Sequence, residues 1–492
     1  MNASAQPKPE KQETTLETPG RRKRLVGALA PIAVSVVVAL LPPPGGLSPN
    51  AWRYFALFLG VIVGLILEPV PAPIVGLIGI FVGSAAGLVA KTPAESVRWA
   101  LSGFSNAVVW LIFAAYMFGL GYEKTGLGRR IALTLVKLLG RTTLGLGYAV
   151  ALSDVVLGPF MPSNTARSGG TIYPIIRNIP EVFGSRPGPT ARKMGSYIMW
   201  TALATTAVTS SLFLTANAPN LLGLELVRKG IQVSVSWREW FIGFLPMGLV
   251  LLAAVPLLVY LLYPPELKRS EEAQGWAAAE LGQIGAITRR EVTMAALAVA
   301  ALVLWIFGGD RIDATTVALG VVALMTLTGV IGWDDLLGYK QAWSMLVWFG
   351  TLVALADGLK TVGFLGWFAS RTAALVEHLP VVWVVVVFVA VYYVVHYIFA
   401  SLTAHATALL PVFLATALTV KGVPMKELAM LLCYTSGLSA ALTPYASGPS
   451  AIFYGSAYVP TRDFWRLGLL FGVIFLVVFL AMGVPYLGWY LG

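Results

Sequence analysis

The sequence predicts an all-α polytopic membrane protein with eleven transmembrane helices and two re-entrant helical hairpins. Of its 492 residues, 57% are apolar and 12% are charged, whereas soluble domains carry roughly 25% charged residues. The apolar residues also fall into separate runs of about 20, the length that crosses a bilayer. This composition excludes an ordinary soluble enzyme, a disordered chain and a nucleic-acid reader, and it makes the lipid bilayer the first expected partner.

Eleven apolar runs are each long enough for one crossing. They are 25–44, 50–67, 71–90, 107–122, 194–215, 239–263, 290–307, 313–331, 343–360, 427–445 and 464–488. The polar tail 1–24 is expected to be disordered in the cytoplasm. The first helix is assigned to 25–49, and a cytoplasmic linker, 264–289, follows the sixth crossing. Basic residues 21–24 resemble the start of a signal peptide, but no small-residue cleavage site follows, so we expect an uncleaved helix.

The distribution of Lys and Arg predicts the orientation. With the N-terminus inside, the cytoplasmic segments hold 22 of the 34 Lys and Arg residues and the outer segments hold 11, leaving Arg167 inside the first hairpin. Cytoplasmic loops carry an excess of basic residues. We therefore expect a bacterial inner-membrane protein with a cytoplasmic N-terminus and an outer C-terminus. The net charge of +11 is assigned to topology rather than to nucleic-acid binding.

Two further apolar stretches, about 143–176 and about 380–420, are too long for one crossing. Each is broken in its middle by small polar residues, Pro162-Ser163-Asn164-Thr165 in the first and Ser401-Leu402-Thr403 in the second. We expect helical hairpins that enter and leave on the same side. Irregular backbone at that depth is tolerated only where protein or a water-filled cavity surrounds it.

Both hairpins belong to an internal repeat. Three sequence pairs share one offset of 238 residues: Val109-Trp110 with Val347-Trp348, Gly128 with Gly366, and Ser163-Asn164-Thr165-Ala166 with Ser401-Leu402-Thr403-Ala404. The repeats are assigned to 50–263 and 290–492. Each has five crossings and one hairpin, so the second is inverted. We therefore expect the first hairpin to enter from inside and the second from outside, and we name them the inner and outer hairpins. Inverted repeats with broken helices are typical of secondary transporters. The alternative is that the polar clusters are close-packing seams between helices.

The hairpin tips are the candidate binding elements. A tip exposes the N-terminus of its second half-helix, whose N–H groups and dipole favour an anion. Ser163, Asn164, Thr165, Ser401 and Thr403 add hydroxyl and amide groups there. Two facing tips suit a molecule with a negative group at each end, such as a short dicarboxylate.

A basic or protonatable residue follows each tip. Arg167 stands two residues after the first threonine, and His405 occupies the matching position in the second hairpin. A buried arginine at membrane depth is costly and usually functional. Two alternatives remain open: Arg167 can pair with Asp154 and serve packing, and His405 can be a neutral core histidine, as we expect for His396.

A second break follows each hairpin. Residues 216–220 interrupt a helix at about 194–227, and residues 443–450 interrupt one at about 427–453. The candidate binding residues there are Asn217, Pro219, Ser447, Gly448 and Pro449. Proline and glycine free backbone carbonyls that can line a site. The alternative is an ordinary proline kink.

Catalysis, cofactors and metal sites are not expected. The only histidines are His378, His396 and His405, and they form no array with serine and aspartate or with glutamate. The lone cysteine, Cys433, excludes a disulfide scaffold and any cysteine-based metal site. An enzyme is therefore the least favoured class, and an anion channel is disfavoured by the repeated broken helices.

These motifs resemble the divalent-anion:sodium symporter family over nearly the whole chain from about residue 25. The segments 162–170 and 396–405 are more similar to its exchanger branch, which includes bacterial citrate–succinate and tartrate–succinate antiporters and plastid 2-oxoglutarate/malate translocators. The resemblance implies a homodimer and an elevator-type transporter, in which both hairpins and the broken helices move against a scaffold. It places carboxylate binding on the two tips and the family's sodium-site loops around 216–219 and 446–449.

One departure from the sodium-coupled pattern bears on mechanism. Leu402 stands where sodium-coupled members carry asparagine, and a leucine side chain supplies no oxygen ligand. We hypothesise that Arg167 and His405 replace the sodium charges and force exchange, because an empty, positively charged site would cross the membrane at high cost. The predicted function is sodium-independent antiport of C4 and C5 dicarboxylates such as 2-oxoglutarate, malate and succinate. The alternative is a sodium-coupled dicarboxylate or citrate symporter.

Overall fold

The protein is described here by a computed structural model over residues 21–308, 311–372 and 380–492. Most of the predicted disordered tail, as well as His378, lies outside these ranges. Within them every regular element is helical, and the one strand-like pairing is a single bridge between Thr142 and Arg269. The all-α prediction is confirmed.

Twenty-four α-helices make up the described chain. They are α1 (Arg21–Leu40), α2 (Pro49–Leu67), α3 (Ala72–Ala85), α4 (Pro93–Leu101), α5 (Ala107–Thr125), α6 (Leu127–Leu139), α7 (Thr143–Leu157), α8 (Tyr173–Ile176), α9 (Ile179–Val182), α10 (Gly195–Leu212), α11 (Ala218–Ile231), α12 (Trp237–Leu262), α13 (Glu271–Ile284), α14 (Arg289–Phe307), α15 (Ala314–Leu327), α16 (Trp333–Gly338), α17 (Lys340–Thr361), α18 (Phe364–Thr372), α19 (Val381–Val395), α20 (Leu402–Ala417), α21 (Met425–Leu438), α22 (Gly448–Gly455), α23 (Thr461–Val478) and α24 (Val484–Leu491).

Eight helical stretches in the described part of the chain are long and apolar enough to cross a membrane. Six fall on predicted crossings: 49–67, 107–125, 237–262, 289–307, 340–361 and 461–491. The other two, 143–160 and 381–398, are the first arms of the predicted hairpins. Three predicted crossings are shorter apolar helices in α1, α3 and α15. The remaining two coincide with α10, whose buried residues include many Ser and Thr, and with α21, which buries Thr435 and Ser436. Eleven crossings therefore remain a prediction.

Local capping signals set several helix starts. Ser236 and Glu239 form a capping box at the start of α12, and Thr288 and Glu291 form another at the start of α14. In each, the first side chain accepts the backbone N–H of the glutamate, whose own side chain accepts the N–H of the capping residue. These caps explain why both helices begin within two residues of the predicted crossings.

The two hairpins match each other element by element. Helix α7 begins at Thr143, and α19 begins 238 residues later at Val381; both are 15 residues long. Each ends in a three-residue 3₁₀ turn, Gly158–Phe160 and His396–Ile398, and then an extended residue. The structure therefore supports the offset found in the sequence. The second arms differ, because Thr165–Ile172 is π-helical whereas α20 is a regular α-helix.

The two predicted repeats interlock rather than forming separate bodies. Helices α2 and α3 of the first pack with α17 and α18 of the second in one hydrophobic cluster. The Tyr54 hydroxyl donates to the Leu355 carbonyl at 2.6 Å, and the Trp99 indole nitrogen donates to the Ala354 carbonyl at 3.0 Å. Both bonds join the two repeats in the core.

The linker between the repeats is also structured. Its helix, α13, packs on α6. The segment before α13 is bonded to the start of the first hairpin: Thr143 N donates to Lys268 O at 3.1 Å, and Ser270 N donates to Arg141 O at 3.0 Å. The Ser270 hydroxyl adds a bond to Gly140 O at 2.7 Å. The linker is thus fixed to the base of α7.

Candidate functional site

The two hairpin tips and the two helix breaks surround one cavity of about 580 Å³. Nine of the twelve candidate residues line it: Ser163, Asn164, Thr165, Asn217, Pro219, Ser401, Thr403, Ser447 and Gly448. The other three, Arg167, His405 and Pro449, lie outside the lining. The sequence-predicted elements are therefore brought together, but neither basic residue faces the cavity.

At the first tip, Ser163 caps the half-helix that follows it. Its hydroxyl oxygen accepts the Ala166 N–H at 3.1 Å, so the hydroxyl hydrogen remains available to donate. Asn164 is 6% exposed, and its side-chain nitrogen has no partner among the described residues. This tip therefore places a serine and an asparagine in the cavity lining, and the asparagine amide nitrogen is buried.

The second tip repeats this arrangement. Ser401 is the N-cap of α20, with extended backbone, and its hydroxyl oxygen accepts the Ala404 N–H at 3.3 Å. Its hydroxyl hydrogen is free for the same reason. Thr403 lies one residue into the helix and also lines the cavity. Both tips thus present a capping serine and a threonine at the N-terminus of a half-helix, a setting that stabilises anions.

The first break is bonded to the first tip. A 3₁₀ turn, Leu214–Ala216, ends α10, and extended Asn217 leads into α11. Ala218 N donates to Pro162 O at 2.8 Å. Asn217 is 2% exposed, and within the described ranges its side-chain nitrogen is unpaired. The break therefore adds a second unpaired amide donor beside the tip.

The second break contacts the first tip across the repeats. Ser447 caps α22 by accepting Ser450 N and donates its own hydroxyl to Ala440 O at 2.7 Å, so its hydrogen-bonding capacity is largely used. A side chain at Gly448 would collide with the Thr165 side chain. Glycine at this position lets the first tip pack directly on the second break. Pro449 lies in the first turn of α22 beyond the lining.

Arg167 lies behind the first tip, which corrects the expectation that it faces the substrate. Its side chain is fully buried and its Nε donates to Asp154 Oδ1 at 3.1 Å. Its terminal nitrogens donate to Met161 O at 2.9 Å, Ala216 O at 2.6 Å and Ser210 Oγ at 3.2 Å. The pairing left open from the sequence is present. Arg167 therefore fastens hairpin, tip and break together, and Asp154 compensates its charge.

His405 also lies behind its tip. Its Nδ1 is 3.3 Å from Nδ1 of His396, whose Nε2 is 3.1 Å from the Ala446 carbonyl. A carbonyl accepts only from N–H, so neutral tautomers satisfy this chain when His396 carries its proton on Nε2 and His405 on Nδ1. This pattern supports two neutral histidines that fasten the outer hairpin to the second break.

Several lining residues were not singled out from the sequence as binding residues. They are Glu68, Tyr116, Gln341, Met345, Trp348, Phe349, Gly169, Gly170 and Ile452. Most come from helices outside the hairpins and breaks. Trp348 belonged to a repeated pair, which was the one available signal. Glu68 is the only charged residue lining the described cavity, so a bound anion would have to be held by N–H groups, hydroxyls and amides rather than by a facing cation.

The chain is similar to known proteins over most of its length. Residues 22–491 match the family described as the sodium:sulfate symporter transmembrane region. The chain is 48% identical to the L-tartrate/succinate antiporters of Escherichia coli strain K12 and of Shigella flexneri, over 93% of this chain and 96% of each relative. The match covers every element that lines the cavity.

Two solved structures share the fold at low identity. The Alcanivorax borkumensis YdaH transporter has a TM-score of 0.57 at 16% identity, covering 89% of this chain and 98% of that one. Neisseria gonorrhoeae MtrF has a TM-score of 0.54 at 13% identity, covering 94% and 93%. These likenesses, together with the apolar helices, identify an integral membrane protein with a transporter fold.

Proposed function

The chain belongs to the sodium:sulfate symporter family, the divalent-anion:sodium symporters, and falls in its exchanger branch; from that premise we propose that it exchanges short dicarboxylates across a bacterial inner membrane. The prediction of a transporter rather than an enzyme is confirmed by the family. The observation that carries the proposal is the single cavity that both hairpin tips line. Each tip contributes a capping serine whose hydroxyl oxygen accepts a helix N–H, an arrangement in which the hydroxyl can donate to an anion.

The proposed substrates are C4 and C5 dicarboxylates. Each tip takes one carboxylate, and unpaired amide donors at Asn164 and Asn217 add to the first. Relatives at 48% identity are L-tartrate/succinate antiporters, which supports succinate and adds tartrate to the set. 2-Oxoglutarate and malate fit the same pattern of two terminal carboxylates.

We infer sodium independence because side chains already bond the backbone carbonyls near the tips. Arg167 occupies Met161 O and Ala216 O, and His396 occupies Ala446 O. A cation at either break would need such oxygens as ligands. Leu402, which lines the cavity, supplies none from its side chain. Protein groups thus take the place of sodium in holding tip and break together.

The coupling hypothesis changes with the buried ion pair. Asp154 compensates Arg167, so an uncompensated charge does not hold the empty carrier. The buried amide donors at Asn164 and Asn217 replace it in the proposal. Each donor left without a partner while the site crosses the membrane costs about 1–3 kcal/mol, and a bound anion removes that cost during the crossing. The loaded carrier therefore moves more readily than the empty one, which gives exchange.

The proposal also includes an elevator motion, a homodimer and the predicted orientation. Glu68 and Gln341 line the cavity and fall at predicted cytoplasmic ends of their helices, which supports a cytoplasm-facing state. On the predicted outer side, buried Glu225 of α11 accepts a bond from Asn106, the N-cap of α5, at 2.6 Å. An outward movement of the hairpins and broken helices would separate Glu225 from Asn106.

The deciding experiment uses purified protein in liposomes and labelled succinate. Uptake should require an unlabelled internal dicarboxylate and should be unchanged when external sodium is replaced by potassium. Uptake into empty vesicles driven by a sodium gradient would instead establish the sodium-coupled symporter. Steady current without a countersubstrate would establish an anion channel.

A further inference from the structure

Trp348 is a cavity residue whose polar atom has no assigned role. It lies on α17 and lines the cavity beside the tips. Its indole nitrogen is shielded from solvent, and it has no hydrogen-bond partner within residues 21–308, 311–372 and 380–492. A buried donor without a partner costs free energy. A donor left unpaired at the wall of a binding cavity is explained when the ligand supplies the acceptor.

The repeat supplies an internal comparison. Trp110 occupies the position 238 residues earlier, and its indole nitrogen donates to the Phe104 carbonyl at 2.9 Å. Phe104 precedes α5, so its carbonyl is free of the helix. The residue matching Phe104 is Ala342, which lies within α17 because that helix starts earlier, at Lys340. The carbonyl that corresponds to the acceptor of Trp110 therefore lies inside α17, so Trp348 has no matching local acceptor.

The position of Trp348 indicates what it would recognise. The carboxylates at the two ends of the substrate are assigned to the tips, whereas α17 is neither a hairpin nor a broken helix. Trp348 lines the cavity from this third wall, and its indole nitrogen is buried there. We propose, resting on the function proposed above, that Trp348 donates a hydrogen bond to an oxygen substituent between the two carboxylates. An indole N–H only donates, so it favours a hydroxyl or keto oxygen over a methylene group.

Trp348 is thus a specificity-determining residue for hydroxylated and keto dicarboxylates over succinate. Loss of one neutral hydrogen bond corresponds to roughly a three- to tenfold change in affinity. Loss of this hydrogen bond lowers affinity only for substrates that carry the hydroxyl or keto oxygen, which distinguishes a role in recognition from a role in packing. Loss of packing weakens binding of every dicarboxylate alike.

The test compares Trp348→Phe with Trp110→Phe in liposomes. Affinities for L-tartrate, L-malate and succinate are measured from the side to which this cavity opens. We expect Trp348→Phe to weaken tartrate and malate by roughly three- to tenfold and to leave succinate within about twofold. Trp110→Phe should lower thermal stability without changing the ratio of malate to succinate affinity. Should Trp348→Phe fail to fold, Trp348→His restores a ring N–H and should keep a preference for malate.

Two results would overturn the assignment of Trp348. One is an equal loss of affinity for malate and succinate, and the other is no change in either affinity. Failure of the proposed function is distinguishable, because the unmodified protein would then show no dicarboxylate exchange at all.

Discussion

The inner and outer hairpins share the length of their first arms and their capping serines, but they are held in place by different chemistry. In the inner hairpin, Arg167 pairs with Asp154 and donates to the carbonyl of Ala216 in the first break. In the outer hairpin, His396 contacts the carbonyl of Ala446 in the second break, and His405 contacts His396. Both hairpins thus hold the next broken helix through a side-chain bond to a backbone carbonyl. One fastening uses a buried ion pair and the other uses two neutral rings.

This difference teaches that matched repeats can keep a geometry while changing the group that maintains it. The ion pair is costly to break, because either partner left alone is a buried charge. The histidine pair is cheaper to break, because only neutral donors and acceptors lose partners. The inner hairpin should therefore tolerate substitution less well than the outer one.

The largest expected effect comes from Asp154→Ala. It leaves the Arg167 guanidinium buried without a carboxylate, and we expect a loss of about 3–5 kcal/mol in the free energy of unfolding. Thermal unfolding in detergent and transport in liposomes would both report it. The control is Arg141→Ala, which removes an exposed pair with Glu271 and should cost under about 1 kcal/mol. Equal stability of the Asp154→Ala and Arg141→Ala variants would contradict the stabilising role of the Arg167–Asp154 pair in the inner hairpin.

A smaller effect is expected from His396→Phe. The ring volume is kept, but the Ala446 carbonyl and the His405 ring lose a partner, which costs about 1–3 kcal/mol. His405→Phe breaks only the bond between the rings and should cost less. Unfolding midpoints of both variants test the order. A loss of stability as large as that of Asp154→Ala would show that the histidine pair and the ion pair contribute equally to the stability of their hairpins.

The tips themselves should respond alike. Thr165→Ala and Thr403→Ala each remove one hydroxyl from the cavity and should each weaken dicarboxylate affinity by roughly three- to tenfold. Thr407→Ala is the matched control, because its hydroxyl bonds to Thr403 O one turn away and does not line the cavity. A large loss in only one tip variant would mean that the anion binds to a single hairpin.

The smallest effect is expected from Leu402→Asn. The substitution restores the side chain that sodium-coupled members carry at this position, but Arg167 and His396 still occupy the carbonyls beside both breaks. Exchange should therefore remain independent of sodium. Sodium-stimulated uptake by this variant would show that Leu402 alone sets the coupling.

Much of the site was predictable because its parts carry local signals. Prolines, glycines and small polar residues mark the tips and breaks, and the constant offset pairs them. The direction of Arg167 was not predictable, because the π-helical turn that carries it and the placement of Asp154 are set by tertiary packing. Gln341 and Met345 line the cavity from α17, whose local sequence resembles that of any apolar crossing. Their roles depend on contacts between distant parts of the chain.

The bonded linker has a consequence for engineering the chain. Residues 268–270 bond to 140–143, and α13 packs on α6. A protease site or a fluorescent reporter inserted between Leu267 and Ser270 would therefore disturb the base of the inner hairpin instead of a passive loop. The end of α13 is also fixed, because Arg130 donates to Gly285 O at 2.9 Å and to Ala286 O at 3.3 Å.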